Sequence, residues 1–183
     1  MARILGVRTE IDSVLSVLAP MGLAAAADGP SLLIDLDPSG PSYPSRRSLA
    51  DLVADGPTRA ELTPGAGGMA VLRNGGVEWV EAAETVERLA GPWPSITLRV
   101  GLGDSGLPWP VIPVVPLLPG FLTVADGRPA VWQASEGGQV APGPGPVLPP
   151  LARRAIQVLL EARSIPRGRW IRGWRQVWEL PWP

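Results

Sequence analysis

The sequence predicts an α/β protein: a mostly parallel, Rossmann-like (P-loop NTPase-like) sheet flanked by helices, with a helical C-terminal tail. Three observations predict it. From Ala2 to Val100, short apolar runs alternate with segments of helical periodicity, the pattern of successive βαβ units. One run, Leu32, Leu33, Ile34 and Leu36, is apolar almost without a break, as a strand covered on both faces requires. The 183 residues are 45% hydrophobic and 18% charged, enough for one domain with a core, while 22 glycines and 23 prolines mark many turns.

In order, Ala2 to Val7 reads as a strand. Thr9 with Asp12 resembles a capping box for a helix in which Ile11, Val14, Leu15 and Leu18 share a face, until Pro20 stops or kinks it. Ser31 to Asp37 is a second strand, Ser48 to Val53 a short helix and Gly68 to Arg73 a strand. Glu78 to Leu89 is an amphipathic helix, and Ser95 to Val100 alternates as a strand. Trp109 to Gly120 carries prolines at 110, 113, 116 and 119. Period-three proline fits a polyproline II ligand, but the apolar pairs between the prolines ask for burial, which favours an edge strand or a buried extended segment. Ala130 to Gln133 adds a short strand. Residues 1–134 thus form the α/β domain, 135–150 a Pro/Gly linker, and 151–183 a segment of two helices, Leu151 to Arg163 and another from about Pro166.

Composition excludes several functions. With no cysteine and no histidine there is no disulfide framework, no thiolate metal site and no triad built on either residue. The absence of a signal-like or membrane-spanning run predicts a cytoplasmic protein. The net charge of -1 offers nucleic acid no general attraction, yet it is unevenly distributed. Residues 1–152 hold 9 Arg against 15 acids, a balance of -6, and residues 153–183 hold 7 Arg against 2 Glu, a balance of +5. Such asymmetry points to a tail with a partner of its own.

Ile4-Leu5-Gly6-Val7 before a helix, followed by Leu32-Leu33-Ile34-Asp35-Leu36-Asp37-Pro38, resembles the first βαβ unit of the ParA/MinD-like P-loop ATPases, whose second strand commonly ends in D-x-D-P. Asn74-Gly75-Gly76, the helix and strand after it, and the segment ending Val115-Pro116-Leu117-Leu118-Pro119-Gly120 resemble the CpaE/TadZ branch, associated with Tad-type pilus and secretion machinery in bacteria. The likeness covers about residues 3 to 120. It implies a phosphate loop at Gly6 to Ser13, with Ser13 at the place of the metal-binding hydroxyl, and a switch region in which Asp37 lies near the attacking water.

The departures weigh against catalysis. A phosphate loop needs several glycines and lysine, whereas this stretch has one glycine, Arg8 as its cation, and Asp12 where the lysine belongs. Like charges about 4 Å apart repel by roughly 4 kcal/mol at a surface-like dielectric, so a carboxylate facing a phosphate is unfavourable. Arg99 stands about where the resemblance places a magnesium-serving aspartate. The resemblance therefore implies a non-catalytic adaptor without cofactor, Asp35 and Asp37 surviving as scaffold that faces solvent or caps the next turn. The competing reading is a divergent hydrolase handling ATP and Mg²⁺ through Arg8, Ser13, Asp35 and Asp37.

In the tail, Trp170, Ile171, Trp174, Val177 and Trp178 gather on one side of a helix, with Arg169, Arg172 and Arg175 mostly off it. Docking on the domain or on a protein partner, contact with an anionic membrane surface, and base stacking on nucleic acid all follow from that pattern, in descending order. Gly173 weakens an isolated helix by about 1 kcal/mol. A protein partner from secretion or pilus assembly, a location at the inner membrane face and a homodimer are the further expectations.

Overall fold

The computed structural model describes residues 2–9, 13–65, 68–102, 106–118, 127–161 and 168–183, with backbone alone at 13 and 160. The elements are β1 (Arg3–Arg8), α1 (Ser13–Ala25), β2 (Ser31–Asp35), α2 (Leu49–Asp55), β3 (Met69–Leu72), α3 (Trp79–Ala90), β4 (Ser95–Arg99), β5 (Val111–Leu117), β6 (Val131–Ala134), β7 (Val147–Leu148), α4 (Arg153–Leu160) and α5 (Arg169–Glu179). The strands form one seven-stranded sheet in the order β3-β2-β4-β1-β5-β6-β7, every pairing parallel. The predicted α/β class is the class observed. No helix among the described residues is long and apolar enough to cross a membrane.

Because side chains alternate across a strand, each strand feeds two cores. Leu5, Val7, Leu33, Ile112 and Val114 pack under α1, α4 and α5. Ile4, Leu32, Ile34, Ile96 and Leu98 pack under α2 and α3. The helix pairs α1/α5 and α2/α3 thus lie on opposite faces of the sheet.

Three sequence expectations need correction, and a fourth falls outside the described residues. Pro20 does not stop α1: the helix runs to Ala25, because Leu18, Ala19, Met21 and Leu23 are all buried and tertiary packing outweighs the lost backbone bond. The Thr9–Asp12 capping box involves Asp12, outside the described residues; a complete box occurs instead at α2, where Ser48 and Asp51 satisfy each other's backbone N–H. The proline-rich segment is buried and extended as expected, but it is an interior strand rather than an edge. The bond from the Gly6 N–H to the Pro110 carbonyl fixes the alternation, so that Pro113 turns toward β6 and Pro116 toward β1. Pairing with β6 begins at Val114 and pairing with β1 ends at Pro113, so neither proline removes a ladder bond.

The third correction concerns the linker. Val147 and Leu148, inside 135–150, form β7 and extend the sheet beside β6. Trp132 Nε1 and the Ala130 and Trp132 amides donate to Pro144 and Pro146 carbonyls, which anchors this proline-rich stretch to the edge of the sheet. The segment after it also belongs to the same body, since α5 packs on α1.

Candidate functional site

Asp35 ends β2 and Arg99 ends β4, and the parallel register makes them direct neighbours at the carboxyl ends of the strands. Leu98 and Val100 face α2 and α3, so Arg99 projects to the α1 side. There its guanidinium is 1% exposed and meets two carboxylates. Nη1 lies 3.2 Å from Asp35 Oδ2 and 3.4 Å from Oδ1, and Nη2 donates to Asp37 Oδ2 at 2.9 Å. Nη1 also donates to the Pro41 carbonyl at 2.6 Å, and the Tyr43 ring centroid lies 5.5 Å from Cζ.

The D-x-D-P turn is built around that cation. Asp35 Oδ1 accepts from the Asp37 amide, and Asp37 Oδ1 accepts from the amides of Ser39 and Gly40 and from the Ser39 hydroxyl, all at 3.1 Å. A side chain at residue 40 would collide with Arg99 Nη2 and Asp37 Oδ2, so glycine lets the loop close on the guanidinium. Tyr43 then spans to the helix, its hydroxyl donating to the Val17 carbonyl of α1 at 2.8 Å. Asn74 fastens the other side, donating to the Asp35 and Val77 carbonyls while its Oδ1 accepts from the Gly76 and Val77 amides.

Burial pushes the Asp35 carboxyl up to about 6 against the pull of Arg99, because this nearly fully covered group shares one cation with Asp37. Burial likewise pushes the Tyr43 hydroxyl up, the nearby guanidinium pulling it back. Both carboxylates are thus already ion-paired to Arg99 and hydrogen-bonded within the chain. A divalent ion does not fit these two carboxylates as they stand, because it would have to displace the Arg99 guanidinium that both of them hold. Among the described residues there is no group of three or more acidic, cysteine or histidine side chains able to hold a metal.

Of the residues singled out from sequence, Asp35 and Asp37 come together, and Asp35 faces the interior rather than solvent. Arg8 ends β1 beside Pro113, and Ser13 opens α1. Sequence reasoning overlooked Gly40, Tyr43 and Asn74. One signal was available: a lone arginine inside an apolar strand implies a buried acid on the neighbouring strand.

The tail residues separate into two sets. Trp170, Trp174 and Trp178 are 3%, 0% and 7% exposed, packed on α1, whereas Arg169, Arg172 and Arg175 are exposed. Trp178 Nε1 donates to the Leu23 carbonyl and Trp170 Nε1 to Gln133 Oε1. As contacts for a partner or a membrane the three tryptophans are withdrawn, since the domain's own core uses them. Gly173 finds its reason here too: α5 passes so close to β7 that a Cβ would lie 2.9 Å from Leu148 Cδ2.

A cavity of about 330 Å³ lies elsewhere, on the α2/α3 side, lined by Leu52, Leu72, Leu89, Trp93, Arg47 and Glu61 among others, and it shares no residue with the cluster. Compared with family models, with curated proteins and with solved structures, the chain gives no match.

Proposed function

We propose that this chain is a non-catalytic adaptor or scaffold of the MinD/CpaE-like kind, holding a protein partner in pilus or secretion assembly. The observation that carries the reading is Arg99, buried against both Asp35 and Asp37. Displacing it would leave a buried cation unpaired, a cost of about 3–5 kcal/mol that a bound metal and phosphate would have to exceed. The cluster instead serves to fasten the D-x-D-P loop to the sheet end and, through Tyr43, to α1. The assembly setting rests on the resemblance of about residues 3 to 120 alone. Burial of the α5 tryptophans favours a protein partner over a lipid surface, because the exposed side of α5 keeps its arginines but no aromatic ring to enter the lipid boundary.

The test is nucleotide binding and turnover. Adding ATP with Mg²⁺ is expected to leave the melting temperature unchanged, and ATP hydrolysis should not exceed that of an Asp37→Ala control. Magnesium-dependent stabilisation by ATP that disappears in Arg8→Ala, or turnover above the control, would overturn the reading in favour of a divergent hydrolase.

A further inference from the structure

α3 and α5 each carry an uninterrupted row of like charge at every third position, and the rows have opposite sign. On α3 and its N-cap these are Glu78, Glu81, Glu84 and Glu87, all exposed. On α5 they are Arg169, Arg172 and Arg175, also exposed. Residues three apart are surface neighbours on a helix, so each row is a single ridge rather than scattered charge. None of the seven makes an ion pair within the described residues. Like charges packed at this spacing repel, and each helix bears one opposite charge, Arg88 or Glu179, to relieve it.

The two ridges cannot meet within one molecule, because α3 packs on one face of the sheet and α5 on the other. They can meet between molecules. We propose that the chain associates with further copies of itself head to tail, the glutamate ridge of α3 in one copy seated against the arginine ridge of α5 in the next. Val80, 84% exposed between Glu78 and Glu81, supplies an apolar contact near the N-terminal end of the acidic row. The contact is heterologous: each copy uses one face as donor and the opposite face as acceptor, so it propagates as a row of molecules rather than closing as a symmetric pair. Exposed ion pairs are individually weak, which makes the association weak, concentration-dependent and strongly screened. It does not depend on whether the strand-end cluster binds nucleotide.

Sedimentation velocity of the full chain over a range of concentrations tests the proposal. At about 0.01 M salt, where charges are felt over about 30 Å, species larger than the monomer are expected; at about 1 M salt, where that reach is about 3 Å, they should vanish. The variant Glu81→Arg with Glu84→Arg, and separately Arg172→Glu with Arg175→Glu, should each weaken association by about tenfold or more, since attraction becomes repulsion. An equimolar mixture of the two should recover it, because every contact again pairs opposite ridges. Should circular dichroism show a reversal variant to be misfolded, Glu81→Gln with Glu84→Gln provides the same test with a smaller loss. A monomer at every concentration in low salt, association that survives reversal, or a mixture that stays monomeric would each overturn the proposal. So would binding of anionic vesicles through Arg172 and Arg175 by a chain that remains monomeric.

Discussion

The end of the sheet and the face of α5 both combine arginine with aromatic side chains, and they use the two in reverse. At the strand ends the arginine is inside, held by Asp35 and Asp37 under the Tyr43 ring. On α5 the tryptophans are inside and the arginines face water. The difference lies in what the neighbouring strand or helix offers. β2 and the turn after it bring two carboxylates to Arg99, whereas α1 offers an apolar surface with a backbone carbonyl at Leu23. A buried guanidinium is tolerable only in the first setting, and a buried indole suits the second.

Exchanging these roles should fail in both settings, with the largest losses of the series. Arg99→Met leaves two carboxylates unpaired and is expected to lower unfolding free energy by about 3–5 kcal/mol, measured by urea denaturation. Trp174→Ala, at a site with no exposure, opens a cavity between α5 and α1 and should cost a similar amount, about 3–5 kcal/mol by the same measurement.

The next contrast is in pH. The folded carboxyl of Asp35 is raised to about 6 from 3.8, so between these values the native state binds more protons than the unfolded chain. Stability from this group is fully present below pH 3.8 and is lost as pH rises through 6, about 3 kcal/mol in all. Asp35→Asn should remove that slope. Subtracting the two profiles isolates Asp35 from Asp51 and Glu61, whose carboxyls are held low by hydrogen bonds from Ser48 and Thr58 and act in the opposite sense, losing stability as pH falls.

Smaller still is the effect of crowding. Gly22→Ala would drive a methyl into the Trp170 and Trp174 rings, as Gly40→Ala would into Arg99, and each should cost about 1–3 kcal/mol in thermal or urea unfolding. At the bottom of the scale, Arg172→Gln should change monomer stability by less than about 0.5 kcal/mol, because that side chain is exposed and makes no ion pair among the described residues. A large loss there would break the comparison.

How much of this was legible follows from which signals are local. β2, α3 and β4 could be read from periodicity, since each buries its own apolar set whatever its neighbours do. The C-terminal helix and its apolar side were legible for the same reason. That the apolar side meets α1 was not, because periodicity shows that a face is buried without showing against what. The interior placement of β5 was hidden by its prolines, whose tolerance depends on where β1 stops and β6 starts. At the site, Asp35, Asp37 and Arg99 each stood out, yet their joining depends on the β2–β4 register, a long-range fact. Tyr43 and Gly40, within a loop of ordinary turn composition, carried no mark of their role.

The docking of α5 on α1 also has a kinetic meaning. The bond from Trp178 to the Leu23 carbonyl joins positions 155 residues apart, and Arg3 in the central strand reaches the Leu180 carbonyl across 177. As the chain leaves the ribosome, the part of α1 that α5 covers stays open until α5 has been made. Closing so long a loop is slow, and the uncovered surface is prone to aggregation while it waits. Refolding of the full chain should therefore end in a late phase reported by tryptophan burial, and chaperone capture in the cell should concentrate on chains that have not yet reached Trp170.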